Sequence, residues 1–428
     1  MHSANLSILM RSPLSFIGEV GPGERRTLLA AALGWMLDAF DVMLYSLVIA
    51  FIMRDLHMSK QSAGLLNTLT LLASGIGGVL FGFIADRIGR TRALMLSILT
   101  YSVCSFASGL ANSVLVLAII RFLLGLGMGG EWNTGATLVA ETWPTHLRAR
   151  ALAVVQSSWA IGYALAAIVA GIMLPHTGWR YVFFVGVLPA LITLWIQKDV
   201  PESELWKRKK TSSSSTSTSV GADSQIRFSE LFGSLYRRKT LSLLLMNTFG
   251  MFGWWGLFTW IPPYLSLPVN QGGRGFGTLS TTALLLFLNL VGMGPGYASF
   301  GWVADRLGRR PSVVLYTICA AVLVPIYAMA REPAAVLVLG AVVAFFGTGF
   351  FSGSGIIGSE LFPTSVRARA LGLTYNGARA LSSIAPFTIG RIGQKHGLDS
   401  AFYICGVAFL ISGLVATLIP ETRGVELS

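Results

Sequence analysis

Two carboxylates stand three residues apart in Gly34-Trp35-Met36-Leu37-Asp38-Ala39-Phe40-Asp41-Val42-Met43-Leu44-Tyr45, in the middle of an apolar run over 27–53. Helical spacing puts Asp38 and Asp41 on one face, with Trp35 and Tyr45 beside them. A run of that length crosses a bilayer as a helix, for which roughly 20 residues suffice. An aspartate at mid-membrane costs about 2.5–3.5 kcal/mol on insertion scales, so a helix that carries two must solvate both in a polar interior. Acids so placed line pathways more often than they serve as structural partners of an arginine. Two ionised carboxylates one turn apart repel and titrate as a unit, which suits proton uptake and release without assigning the proton to either residue.

Three further ionisable groups lie in apolar runs. Arg121 sits early in one of them, and Glu131 follows about 15 Å further along the same helix at 1.5 Å per residue, too far for direct contact. Arg121 and Glu131 are candidates for a second proton relay, and Arg121 could equally be a structural partner for an acid or for helix-end carbonyls. Arg379 shares a helix face with Tyr375, Asn376 and Ser383. Its planar fork suits a carboxylate, so it is expected to anchor an anionic substrate, the competing reading being a fixed ion pair with Asp38 or Asp41. Asn133, Gln156, Asn247 and Asn289 are single polar groups within apolar runs. Each is more often an interhelical hydrogen bond than a ligand contact. With Trp35 and Tyr45 they complete the candidate substrate contacts.

These residues need a membrane scaffold to hold them. The 428 residues are 53% apolar and 12% charged, about half the charged share of a soluble protein. The apolar residues recur in blocks of about 20, so the fold class is an all-α polytopic membrane protein. Twelve transmembrane helices are expected near 27–53, 62–85, 93–111, 114–139, 150–173, 178–198, 240–265, 279–304, 312–330, 334–359, 368–390 and 397–420. The connections on one side of the membrane carry about three times as many Lys and Arg as those on the other. The positive-inside rule then places both termini and the middle connection in the cytoplasm. The net charge of +13 is thereby topological, and a nucleic-acid partner is not needed to explain it. The expected organisation is a tail over 1–26, a six-helix half over 27–198, a linker over 199–239, a second half over 240–420 and a tail over 421–428. The linker carries Lys207-Arg208-Lys209-Lys210 and a Ser/Thr run, a flexible composition with no specific partner expected. No secretory signal precedes the first span. Cys104, Cys319 and Cys405 fall in apolar blocks and His146, His176 and His396 lack ligand spacing, so neither disulfide nor metal is expected. Gly125-Leu126-Gly127-Met128-Gly129-Gly130 lies within a span with no strand before it. It suits close helix packing and not a dinucleotide, and no cofactor is expected.

The halves repeat. Gly82, Asp86, Arg87 and Arg90 in Gly82-Phe83-Ile84-Ala85-Asp86-Arg87-Ile88-Gly89-Arg90 recur as Gly301, Asp305, Arg306 and Arg309. Glu141 and Arg148 recur as Glu360 and Arg367, and Pro201-Glu202-Ser203 as Pro420-Glu421-Thr422. Every step is 219 residues (82 to 301, 141 to 360, 201 to 420). Six spans per half insert in one orientation, a transporter design with its binding site between the halves near the midplane.

These motifs resemble the major facilitator superfamily along essentially the whole chain. The Gly-x-x-x-Asp-Arg-x-Gly-Arg loops resemble its signature, and the Glu-x6-Arg and Pro-Glu-Ser/Thr elements resemble its sugar porters. Leu37-Asp38-Ala39-Phe40-Asp41, Gly129-Gly130-Glu131-Trp132 and Tyr375-Asn376-x-x-Arg379 resemble the aromatic-acid:proton and sialate/lactate:proton symporters. The Gln-Gln element of the sugar porters is missing, and Asn247-Thr248-Phe249-Gly250 stands in that region. The resemblance implies a monomeric carrier, not an enzyme, in the bacterial inner membrane. It would import a small organic carboxylate with protons by alternating access. A sugar or drug carrier is the runner-up, and a non-transporting sensor would need a larger soluble output segment. The signature residues are expected to form a cytoplasmic gate, with Asp86 meeting the start of the eleventh span and Asp305 the start of the fifth.

Overall fold

A computed structural model describes residues 15–204, 206–208 and 231–424. The Ser/Thr run of the expected linker and the outer parts of both tails lie outside them. Helices stand at all twelve expected places. They are α1 (Pro22–Asp55), α2 (Lys60–Ile88), α3 (Arg90–Gly109), α4 (Val114–Thr142), α5 (Thr145–Thr177), α6 (Trp179–Val185 and Pro189–Asp199), α7 (Arg237–Ser266), α8 (Thr278–Phe287, Leu288–Met293 and Gly294–Leu307), α9 (Arg309–Met329), α10 (Pro333–Leu361), α11 (Thr364–Ser382 and Ala385–His396) and α12 (Leu398–Ala416). Ten of these are long and apolar enough to cross a membrane by length and composition. The other two, α3 and α11, are diluted by arginines, and α11 carries Arg367, Arg369, Arg379 and Arg391.

Local chemistry sets the ends. Ser59 and Ser113 cap α2 and α4 by accepting from the amides of Ser62 and Val116, which satisfies donors that a helix start leaves open. The three interruptions all precede a proline, Pro189 in α6, Pro295 in α8 and Pro386 in α11. Proline lacks the N–H of the helical ladder, so each break costs little there. In α8 the adjustment is a π turn over Leu288–Met293. Gly129 of α4 lies against the backbone of Ser74 in α2, where any side chain would collide. This is the close packing that the glycine run predicts.

The two sets of six spans meet through α2 with α11, α5 with α8 and α1 with α7. At the end remote from the basic connections they are locked. The Lys60 ammonium, 7% exposed, donates to the carbonyls of Gln271 and Gly393, and the Lys60 amide donates to Gln394 Oε1 at 3.0 Å. Asn67 donates to Thr259 Oγ1 at 2.8 Å, and Phe387 N to Thr68 Oγ1 at 3.3 Å. At the basic end open space adjoins Gly82, Gly301 and Gly372.

The repeated motifs build the same device twice at that basic end. Arg90 donates to Glu141 (3.1 Å) and Asp86 (2.9 Å), and Arg309 pairs with Glu360 and Asp305. Glu202 accepts from the amides of Arg90 and Thr91 at the start of α3, and Glu421 does so from Arg309 and Arg310 at the start of α9. Gly89 and Gly308, both at φ 106°, occupy a backbone region that favours glycine. Arg148 and Arg367 donate to the carbonyls of Trp143 and Phe362. Arg306 lies over the Trp302 ring at 3.7 Å, and Arg87 is exposed. Among the described residues, Asp86 makes no hydrogen bond or ion pair with α11 and Asp305 none with α5. Each aspartate pairs with the arginine one turn on, and they are 66% and 71% exposed.

Candidate substrate and proton site

Near the middle of the bundle a narrow cleft lies between the halves. Trp35 of α1 and Gln156 and Trp159 of α5 form one wall. Trp254 and Trp255 of α7, Tyr297 of α8, Phe351 of α10 and Tyr375 and Arg379 of α11 form the other. The aromatic rings run on from half to half. Trp35 packs on Trp132 and Trp159 with centroids 4.6 and 4.8 Å apart. Trp159 meets Trp254 and Trp255 edge-on at 5.9 and 6.0 Å. Gln156 lies between the hydroxyls of Tyr297 and Tyr375.

Arg379 is 3% exposed. Its guanidinium lies 5.7 Å from the Trp35 ring centroid, and its Nη1 has no hydrogen-bond partner among the described residues. No carboxylate comes within ion-pair distance of it, although Asp38 and Glu131 are the acids that feel its charge. A fixed ion pair with a span-1 aspartate is therefore absent in this conformation.

The two aspartates of α1 serve different surroundings. Both oxygens of Asp38 are buried without a donor. Glu131 leans from α4 across Gly34, one turn before Asp38, and its Oε2 is likewise unpartnered. Asp41 accepts from Ser105 Oγ of α3 at 2.8 Å and abuts Gly186 in the break of α6. Arg121 is fully buried, lies 4.6 Å from the Tyr45 ring centroid and has no partner for its guanidinium nitrogens. The Tyr45 hydroxyl donates to the Ala63 carbonyl at 2.7 Å. Asp41, Arg121 and Tyr45 thus form a compartment inside the N-terminal half, apart from the cleft lining. Tyr101 spans the two, within the fields of Glu131, Asp38 and Asp41.

The remaining candidates are dispersed. Asn376 donates to Asn133 Oδ1 at 3.4 Å, and Asn133 donates to the Gly78 carbonyl at 2.8 Å, so this pair bridges α11, α4 and α2. Asn247 donates to the Thr374 carbonyl at 3.2 Å and Asn289 to Leu285 of its own helix at 2.8 Å. Ser383 sits in the break of α11 on the Ala380 carbonyl. Tyr375 and Arg379 alone of the four expected face-mates line the cleft. The sequence reading missed Trp159, Trp254, Trp255, Tyr297, Phe351, Tyr101 and Ser105. One signal was present: Trp159 lies one helical turn beyond Gln156, on the same face.

The Major Facilitator Superfamily model matches residues 31–273 and 267–427. The chain belongs to the major facilitator superfamily. This transporter is 30% identical over 396 residues to the cis,cis-muconate transport protein of Acinetobacter baylyi, covering 92% of this chain and 94% of that one. It is 32% identical over 414 residues to the sialic acid transporter NanX of Escherichia coli, covering 94% and 95%. Among solved structures it superposes on the partially occluded inward-open xylose transporter XylE of Escherichia coli with a TM-score of 0.74. That match has 18% identity and covers 95% of this chain and 100% of that one, which bears on the fold alone. Both of these relatives are named for organic acids, muconate and sialic acid.

Proposed function

We propose that the transporter imports a small organic carboxylate together with protons, by alternating access, across a bacterial inner membrane. The observation that carries this reading is Arg379: a buried guanidinium in the cleft between the halves, with an unused donor and no acidic partner. Such a group needs an anionic ligand or water, and a carboxylate fits its fork. The muconate and sialic acid relatives point to the same chemistry. With the basic end cytoplasmic, as the charge asymmetry argues, the arrangement is inward-open. Asp38, Glu131, Asp41 and Arg121 are the coupling groups. An unpaired buried carboxylate is costly as an anion, and a proton cancels that charge while the site is enclosed. Asp38 and Glu131 lie on the Arg379 side, so a proton there also removes their repulsion of an arriving anion. Opening to the cytoplasm rehydrates the cleft and lets substrate and proton leave.

Uptake into proteoliposomes under an imposed pH difference, with a panel of carboxylates, sugars and organic cations, tests the reading. A carboxylate is expected to accumulate against its gradient, and only with an acidic exterior. Accumulation of a sugar or cation with no carboxylate response would overturn it.

A further inference from the structure

The cleft holds one cation and two unused neutral donors among the described residues, and that restricts the charge of what it takes. Among the described lining residues Arg379 is the only basic side chain. Arg121, the other buried arginine of the bundle, lies behind Tyr45 and outside the lining. Asp38 and Glu131, both acidic, lie within electrostatic reach of Arg379. A second negative charge on the ligand would meet aromatic walls and these two acids, with nothing to neutralise it. Burial of an unpaired charge is far costlier than burial of a neutral polar group.

The neutral donors are specific. The indole N–H groups of Trp35 and Trp159 are buried and have no acceptor among the described residues. Both rings line the cleft and are 2% exposed. Trp35 lies beside Arg379, whereas Trp159 packs against Trp254 and Trp255 further across. An indole N–H donates and cannot accept, so its partner must be an acceptor. Gln156 stands between two tyrosine hydroxyls on the same lining.

Resting on the carboxylate reading above, we infer that the substrate is a monoanion: one carboxylate on Arg379 and, at its remote end, an uncharged hydrogen-bond acceptor that takes the Trp159 N–H. Dianionic acids of the same shape are rejected, which would set this chain apart from its relative named for cis,cis-muconate, itself a dianion at neutral pH.

Three probes of one shape separate the possibilities: terephthalate (a dianion), its monomethyl ester (a monoanion with a remote neutral acceptor) and para-toluate (a monoanion without one). Binding to the full-length transporter in detergent at neutral pH is read by quenching of tryptophan fluorescence and checked by counterflow in proteoliposomes. The monoester is expected to bind at least tenfold tighter than terephthalate and several-fold tighter than toluate. Trp159→Phe keeps the ring and removes the donor. It is expected to weaken the monoester by about tenfold, the worth of one buried hydrogen bond, and to leave toluate unchanged. Terephthalate binding as tightly as the monoester, or equal loss for monoester and toluate in Trp159→Phe, overturns the inference and leaves the carboxylate reading standing. If none of the three binds and no other monocarboxylate quenches, both readings fail.

Discussion

At the residue scale the decisive groups are those whose polar atoms the protein leaves unused. Arg379 keeps a free donor in the cleft, while Asp41 already has Ser105. Arg379→Lys retains the charge and loses the fork, so apparent affinity for the transported acid is expected to fall about 10- to 100-fold. Concentration dependence of uptake measures it, and an unchanged value for every acid would exclude bidentate binding. Asp41→Asn keeps an oxygen for Ser105 and removes the charge. We expect it to abolish accumulation under a pH difference while sparing exchange of substrate for substrate. Asp38→Asn should also abolish accumulation. Both variants still concentrating the acid would make these carboxylates structural. The acids and Arg379 were legible from sequence because a charge inside an apolar run always needs an explanation. Trp159, Trp254 and Trp255 were not, because an aromatic residue in such a run looks like ordinary core until the facing helix is known.

At the scale of the element, the twelve spans and their repeat could be read directly, since length, apolarity and recurring motifs all report them. The breaks in α8 and α11 were less visible: one proline can kink, interrupt or be absorbed by a helix, and the neighbours decide. The packing of α4 on α2 rests on Gly129. Gly129→Val should lower the thermal midpoint of the purified protein, at a cost of about 1–3 kcal/mol from overpacking. An unshifted melting curve would show that the two helices can move apart. Glu421 gives the basic end its own pH dependence. Partial burial works to raise its carboxyl, but the backbone N–H groups of Arg309, Arg423, Arg310 and Thr422 outweigh this and hold it below the ordinary value. A depressed folded value means that the cap is intact above the usual glutamate range near about 4.3 and is lost as pH falls through the folded value. Hydrogen exchange at the first turn of α9 should therefore quicken on acidification, and Glu421→Gln should remove that pH dependence.

For the whole molecule, the alternating-access proposal makes the closed end and the basic end two faces of one rocking motion, and Lys60 belongs to the closed one. Its ammonium crosses from one half to two carbonyls of the other, a contact that exists only while that end is shut. Lys60→Met should shift the population toward the outward-open form, read as faster labelling of a cysteine placed in the cleft by a reagent added outside. Labelling no faster than in the parent would show that the lysine does not hold the gate. Conformation was beyond the reach of the sequence, because one chain encodes both arrangements. The placement of Glu421 bears on biogenesis as well. It caps a helix start 112 residues earlier in the chain, as Glu202 does for α3 in the first half. The ribosome makes these caps after everything they hold, so each half finishes its basic end only when its last helix has been delivered. A chain truncated between α12 and Glu421 would carry every span and still leave the start of α9 uncapped.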